Sequence, residues 1–452
     1  GIASLIKVIE AFKHETIPAN LHYATPNSSI DPKSIPALIP VKAIPFTHQQ
    51  NKKRYAQVSN FGFTGTNVSA IIEEPPSFTA KEPIADNGEP LCFVISANSE
   101  YSLQHMMASY LHYFKESSSS LRDVCYTLLN CRDHYKFRCA IIAKDKMELI
   151  KTIESKDYEL KRVTIKEDIK ITGNDANQIF KLYLSGANIR LDERDNQYNK
   201  VDLPPYYFDR KLYWHEPRNS SEQSSINAPH KVADDAIAII GMSCSLPNAP
   251  DITAFERLLE EGLSGIKDIP IDRWDNAKYY NPNMDVPGKS YVNKLGLMEN
   301  IKDFDANFFG ISPREAKLME PQHRIFLECC YLAMENANYT PSSLRDSLTG
   351  VFAGVGPIGT GYYPHQNETL NFYYVTGNGV SYIPGRVAYV FDFKGPSISF
   401  NTTCSSSLVA IHYACQALKN KEIDFALAGG VNVILMPEIN IALCNAKALS
   451  PD

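Results

Sequence analysis

The stretch that most narrows what this chain can fold into runs from Gly395 to His412. An apolar segment, Ser397-Ile398-Ser399-Phe400-Asn401, leads through Thr402-Thr403 to Cys404, and a long amphipathic pattern starts at once, from Ser405 to Lys419. A strand feeding directly into a helix is the joint of an α/β protein, and the spacing predicts a strand over 397–401 and a helix over 405–419. Cys404 falls at the helix N-terminus, where unpaired backbone N–H groups and the positive end of the helix dipole favour a thiolate. The serines beside it are small enough to leave room for a bulky group on the sulfur. A single cysteine is also an ordinary core residue, and this pattern alone leaves both readings open.

The rest of the chain is consistent with an α/β protein of several domains. Its 452 residues suggest about three domains at roughly 150 residues each. With 44% hydrophobic and 21% charged residues it can bury a large core. The net charge of -6 argues against a general nucleic-acid or anionic-membrane binder, since both require clustered Lys and Arg. No apolar run approaches the roughly 18 uncharged residues of a membrane span. Ten cysteines are too sparse for a disulfide scaffold, which makes a reducing cytoplasm the default. Matches to N-X-S/T such as Asn219-Ser220-Ser221 carry no weight without a secretory signal.

Pro and Gly punctuation divides the chain. Ile2, Leu5, Ile6, Ile9 and Phe12 recur at helical spacing over 2–15, and 16–56 reads as a Pro-rich surface excursion. A glycine turn, Asn60-Phe61-Gly62-Phe63-Thr64-Gly65-Thr66-Asn67, precedes a strand over 68–72. From Leu91 the spacing predicts a strand at 93–95, helices at 99–115 and 121–130, and a strand at 139–143. Asn219 to Asp235 has the composition of a flexible linker. At Ala236 a new unit begins with Ile237-Ala238-Ile239-Ile240-Gly241-Met242, an apolar run that suits a buried strand. Helices at 252–261 and 320–336 then alternate with strands at 350–354 and 425–428, which predicts a mixed sheet covered on both faces. The chain opens at Gly1 already inside a helix and stops at Ser450-Pro451-Asp452, so we read it as a window through a longer polypeptide.

Thr403-Cys404-Ser405-Ser406-Ser407-Leu408 resembles the active-site loop of the β-ketoacyl synthase domains of modular type I polyketide synthases. Further stretches in the same order carry the resemblance across most of 237–452. They include Asp272-Arg273-Trp274, Phe304-Asp305-Ala306, Phe308-Phe309-Gly310-Ile311-Ser312-Pro313-Arg314-Glu315-Ala316, Glu320-Pro321-Gln322-His323-Arg324 and Leu427-Ala428-Gly429-Gly430-Val431-Asn432. The start of the chain resembles the other end of such a domain, in Gly1-Ile2-Ala3-Ser4-Leu5-Ile6-Lys7, Ile17-Pro18-Ala19-Asn20-Leu21-His22 and Phe61-Gly62-Phe63-Thr64-Gly65-Thr66-Asn67. Leu203 to Trp214 looks like the peptide that wraps back onto the synthase after its linker.

The resemblance implies a thiolase-like layered α-β-α-β-α fold in two partial copies, joined by a small α/β linker domain. Residues 1–90 would be the C-terminal portion of one ketosynthase, 91–216 the linker domain, 217–235 a flexible linker, and 236–452 the N-terminal portion of a second ketosynthase. It implies chain elongation by decarboxylative Claisen condensation, an acyl chain passing from an acyl carrier protein onto Cys404 as a thioester. Phe63 would be the gate and lend its backbone N–H to the oxyanion hole together with that of Cys404. Gly62, Gly65, Thr66 and Asn67 would line the substrate side. No cofactor is expected to bind directly, phosphopantetheine being carried by the partner, and no metal is expected. A homodimer and a trans-acting acyltransferase are implied, because 91–214 leaves no room for an inserted acyltransferase and lacks G-H-S-x-G.

The family's two histidine motifs, H-G-T-G-T and N-x-G-H, do not occur among the eleven histidines of this sequence. That keeps two other readings in view: a non-elongating synthase that only passes acyl chains between carriers, and a scaffold or dimerisation piece without turnover. His412 lies eight residues along the helix from Cys404, roughly 12 Å away at 1.5 Å per residue, and is read as a packing or supporting residue. Asp346-Ser347-Leu348 mimics a phosphopantetheine attachment motif but falls inside the synthase pattern. Gly354-Val355-Gly356-Pro357-Ile358-Gly359 matches a dinucleotide motif in which Pro357 spoils the phosphate turn. Cys125, Cys131, His134 and Cys139 lack the paired knuckle of a zinc site and read as core, as do Cys329 and Cys330. Lys161 to Asp168 reads as a solvated face.

Overall fold

The computed structural model describes residues 1–23, 37–48, 52–76, 88–191, 198–213, 236–356 and 372–450. The linker composition at 219–235 therefore lies outside the described residues, as do positions 357–359 of the glycine motif.

The site is built on a three-stranded sheet whose middle strand, Thr349–Val355, is buried at every position. Ser397–Phe400 and Phe425–Val431 pair with it, one on each side, and both run parallel to it. The sheet is thus all-parallel where the sequence led us to expect a mixed one; each of these connections passes through a helix that returns the chain to the same end. Strand alternation sorts the middle strand between two cores. Val351, Ala353 and Val355 join Phe326, Leu327, Ile383 and Val387 from the helices Pro321–Asn336 and Tyr382–Phe391. Phe352 points the other way, onto Ala410, Ala414 and Ala417 of the helix Ser406–Lys419. Alanines at i, i+4 and i+7 let that helix lie close over the sheet.

Local signals set the ends of these helices. The Ile252–Glu261 helix is capped by Asp251, whose carboxylate accepts from Ala254 N, and ends in a left-handed Gly262. Pro321 occupies the first turn of its helix behind the Glu320 cap. The expected strand over 237–242 does not form, and Ile239 and Ile240 are 53% and 54% exposed. The end of this segment lies extended against the Pro321–Asn336 helix. Met242 N donates to Asn336 Oδ1 at 2.9 Å, Ser243 Oγ donates to Cys329 O at 2.7 Å, and a Cβ on Gly241 would sit 2.5 Å from Ala333 O. Apolarity alone does not distinguish a strand from a chain segment laid along a helix.

Residues 88–191 form a smaller α/β unit. Leu91–Ala97 and Phe137–Ala143 pair antiparallel under the helices Glu100–Glu116 and Leu121–Asn130. Phe93, Tyr110 and Phe114 fill its centre, and the Cys125, Cys131, His134 and Cys139 group is buried within it. Arg138 is fully buried and donates to Tyr135 O, Tyr183 O, Ala187 O and Asn188 Oδ1. The stretch 161–168 is almost wholly exposed, as expected of a solvated face.

From this unit the chain crosses onto the helices around the three-stranded sheet. Tyr206 N donates to Glu335 Oε2 and Asp209 N to Asp305 Oδ2. Phe208 packs on Phe308, Phe309 and Tyr331, and Lys211–Leu212 pairs antiparallel with Asp303–Phe304. The N-terminal residues supply the helix Ile2–Lys13 and a hairpin, Tyr55–Phe61 with Asn67–Glu73, in the register Phe61 to Asn67. The Pro-rich excursion contributes a two-residue ladder, Thr16–Ile17 with Ile44–Pro45, and ends in the first two residues of the Tyr55–Phe61 strand. No helix among the described residues is long and apolar enough to cross a membrane.

Candidate functional site

Of the ten cysteines, Cys404 alone is exposed. It sits in the single 3-10 turn Thr403–Ser405 that joins the Ser397–Phe400 strand to the helix beginning at Ser406. Burial pushes the thiols of Cys92, Cys139, Cys244 and Cys329 up to about 12, out of the range of useful nucleophiles.

The turn is held by its own hydroxyl groups. Thr402 N donates to Ser406 Oγ at 2.9 Å, and that hydroxyl donates to Thr403 O at 2.7 Å. Ser405, fully buried, donates to Thr402 O at 3.0 Å. Thr403 has φ of +56°, a left-handed conformation that a β-branched residue rarely adopts. Such strain persists only where the surroundings hold it, and here it lies one residue before the exposed thiol. The sequence reading took the serines as small spacers; the run of five hydroxyl residues around Cys404 was the signal for this network.

Two glycines bring the helix down onto the sheet. A Cβ on Gly354 would lie 2.5 Å from Ser407 N, and one on Gly430 would lie 2.7 Å from Ser407 Cβ. The approach brings the first helical turn, with Cys404 just before it, against the end of the middle strand. Gly354 thus has a packing reason unrelated to dinucleotide binding.

The hairpin from the start of the chain closes over this turn. Asn60 Nδ2 donates to Cys404 O at 2.8 Å, and Phe63 N donates to Thr403 Oγ1 at 2.9 Å. Gly62 is wedged so tightly that a Cβ there would lie 2.7 Å from both Ser405 Oγ and Thr402 O. The loop is shut by Gly62 N to Thr66 O and Gly65 N to Gly62 O, with Gly65 at φ +88°. Asn67 is exposed and pairs across the hairpin with Phe61. Phe63 is 86% exposed beside the turn. The residues assigned from the sequence to two separate partial domains therefore meet within one chain. Asn60 and Thr403, which make that meeting, were not singled out from the sequence.

The remaining sequence signals fall elsewhere. His412 is exposed, its ring edge-on to Tyr413 at 5.4 Å, so of the packing or supporting role expected of it the packing one is not met. Asp346 has φ +60° in the turn before the middle strand, and the Ser347 hydroxyl is hydrogen-bonded to that of Thr349 at 2.6 Å.

Residues 234–452 match the family model of the beta-ketoacyl synthase N-terminal domain, and residues 92–153 match the CurL-like PKS C-terminal model. The chain is 41% identical over 238 residues to polyketide synthase PksL of Bacillus subtilis, a match covering 53% of this chain and 5% of that protein. It is 42% identical over 226 residues to erythronolide synthase EryA2 of Saccharopolyspora erythraea, covering 49% of this chain and 6% of that one. Among solved structures, the ketosynthase from module 6 of the bacillaene synthase of Bacillus subtilis 168 is 41% identical, with 48% of this chain and 35% of that chain covered at a TM-score of 0.43. The chain spans about a twentieth of the length of the first two relatives.

Proposed function

Residues 234–452 being a ketosynthase stretch of the modular polyketide synthase family, of thiolase-like α/β fold, we propose that this chain serves polyketide chain elongation by decarboxylative Claisen condensation, with Cys404 as the acyl acceptor. The observation that carries the reading is the placement of the one exposed thiol at the strand-to-helix turn of the matched domain, under the glycine hairpin.

In the first step the Cys404 sulfur attacks the carbonyl of an acyl thioester held by a carrier. The carbonyl π pair moves to oxygen, and collapse of that tetrahedral species expels the carrier thiolate, which takes up a proton. Dividing condensation into acyl transfer and carbon–carbon bond formation is covalent catalysis. Backbone N–H groups of Cys404 and Phe63 would face the developing oxyanion. The Phe63 N–H is given to Thr403 Oγ1 in this structure, so its use by an oxyanion requires Thr403 to release it. Phe63, Gly62, Gly65, Thr66 and Asn67 then form the lip through which the acyl chain enters. In the complete reaction a malonyl unit on another carrier loses CO2, the resulting carbanion attacks the acyl carbonyl on Cys404, and the C–S bond breaks to release the Cys404 thiolate.

The partner class that follows is an acyl carrier protein bearing phosphopantetheine, with extender units supplied by a separate acyltransferase. A second copy of the chain is the natural cover for the Ser397–Phe400 edge strand, where Ile398 is 40% exposed. The domain boundaries we propose remain 1–90, 91–216, 217–235 and 236–452. The test is intact-mass analysis after incubation with an acyl-pantetheine thioester. One acyl increment, lost in Cys404→Ala with the fold intact, supports the reading. No increment, or one retained by the variant, overturns it.

A further inference from the structure

The helices Ile2–Lys13 and Ile252–Glu261 join the N-terminal residues to the domain that carries Cys404. Their contact is apolar at its centre, with Ile6 and Phe255 buried among Ile2, Leu258 and Leu259. On its flank that pattern breaks at Glu10. Its side chain is 2% exposed, and no donor meets either carboxylate oxygen in good hydrogen-bond geometry, although the Glu256 carboxyl and the Lys13 ammonium stand against it. A buried carboxylate is costly unless something cationic compensates it, and here the compensation comes from groups at ion-pair distance, Lys13 at 3.6 Å and His14 at 3.3 Å.

What surrounds Glu10 has the form of a ligand set. His14, the C-cap of the same helix four residues on, places Nε2 3.3 Å from Glu10 Oε2 and 3.7 Å from Glu256 Oε1 of the facing helix. One ligand atom from each of Glu10, His14 and Glu256 lies within 4.8 Å of the others. Around a four-coordinate ion with bonds of about 2.0–2.2 Å, neighbouring donors stand roughly 3.3–3.6 Å apart. The two measured separations are close to that. The other ring nitrogen of His14 faces Glu260 Oε1 at 3.6 Å, the outer carboxylate that orients a metal-bound imidazole. Lys13 fills the same space from solvent, its Nζ 2.6 Å from Glu256 Oε1 and 3.6 Å from Glu10 Oε2.

We propose that Glu10, His14 and Glu256 form a three-ligand site for a zinc-class divalent cation, with solvent as fourth ligand and the Lys13 ammonium as the competing occupant. The site would tie the portion bearing the Phe63 loop to the portion bearing Cys404. It is separate from the acyl chemistry and stands or falls independently of it.

The test is calorimetric titration of the chelator-stripped full chain with Zn2+, repeated with Co2+ read by its visible absorption. One equivalent should bind, with no sulfur-to-metal charge transfer and with no change in Cys404→Ser. Glu10→Gln, which keeps the side-chain shape, should fold and bind at least tenfold more weakly, as should His14→Ala. Glu260→Gln should cost about 10–100-fold, as loss of an outer-shell partner does. Lys13→Met should bind more tightly than the parent. At an ion concentration 100 times Kd the folded-to-unfolded ratio should rise about 100-fold in the parent and not in His14→Ala. Absence of saturable binding, unchanged affinity in Glu10→Gln and His14→Ala, or loss of binding in Cys404→Ser would each overturn the proposal.

Discussion

Replacing Gly354 by Ala tests whether the sheet sets the position of Cys404. The new Cβ would lie 2.5 Å from Ser407 N and 2.6 Å from Ser406 C and Ser407 Cα, all backbone atoms that no rotamer change can move aside. Ordinary contact begins near 3.4 Å, so the first turn of the helix must retreat by about 0.9 Å. Overpacking of this kind costs roughly 1–3 kcal/mol. A displacement near 1 Å at a reacting group costs on the order of 100-fold in rate. The assay is acyl uptake by rapid quench and intact mass, with stability by urea unfolding. Gly385→Ala is the control: it lies inside a helix with nothing within 4 Å of the added Cβ, and should stabilise by about 0.5–1 kcal/mol while uptake stays unchanged. Gly429→Ala, which would meet the Phe326 ring at 3.3 Å, should fall between the two. A Gly354→Ala protein with parental stability and parental uptake would refute the argument.

Three further outcomes are expected. Iodoacetamide under native conditions should alkylate one cysteine quickly, and peptide mapping should place it at Cys404, since the other nine are buried or half-buried. Arg138→Met strands four acceptors at the core of the smaller unit and should cost about 3–5 kcal/mol in urea unfolding. Burial pushes the Glu320 carboxyl up to about 7 from 4.5, so the folded state keeps a proton that the unfolded chain releases. Its contribution is fully present below pH 4.5 and is lost as pH rises to 7, in total on the order of 3 kcal/mol. Glu320→Gln should remove that slope when unfolding curves are compared at pH 4.5 and pH 7.5.

Much of the local structure was legible because its causes are local. The 3.6-residue period and polar caps mark the helices over 100–116, 121–130 and 252–261, and the observed ends agree to within a residue or two. The joint at Cys404 was legible for the same reason: an apolar run, a break and an amphipathic run are a short-range pattern. The glycine turn closed as the spacing of Gly62 and Gly65 predicts.

The failures all concern which surfaces meet. The apolar run at 237–242 has the composition of a strand, yet its described neighbour is a helix, and its final amide, Met242 N, bonds to the Asn336 side chain. Glu10 was not singled out from the sequence; it is buried beside His14 and Glu256 of the Ile252–Glu261 helix only in the packed chain. Gly354 and Gly430 look alike to a motif reader and to a strand reader, and their reason is Ser407 at the start of a helix, its backbone for Gly354 more than fifty residues away and its Cβ for Gly430 some twenty residues away. Sequence by itself determined the elements, their caps and the chemistry available at Cys404, because these depend on neighbours within a few bonds or one helical turn. Tertiary structure decided that Phe63 and Asn60 reach the Cys404 turn across some 340 residues of chain, because that depends on complementary faces whose shape and spacing exist only once the elements have packed.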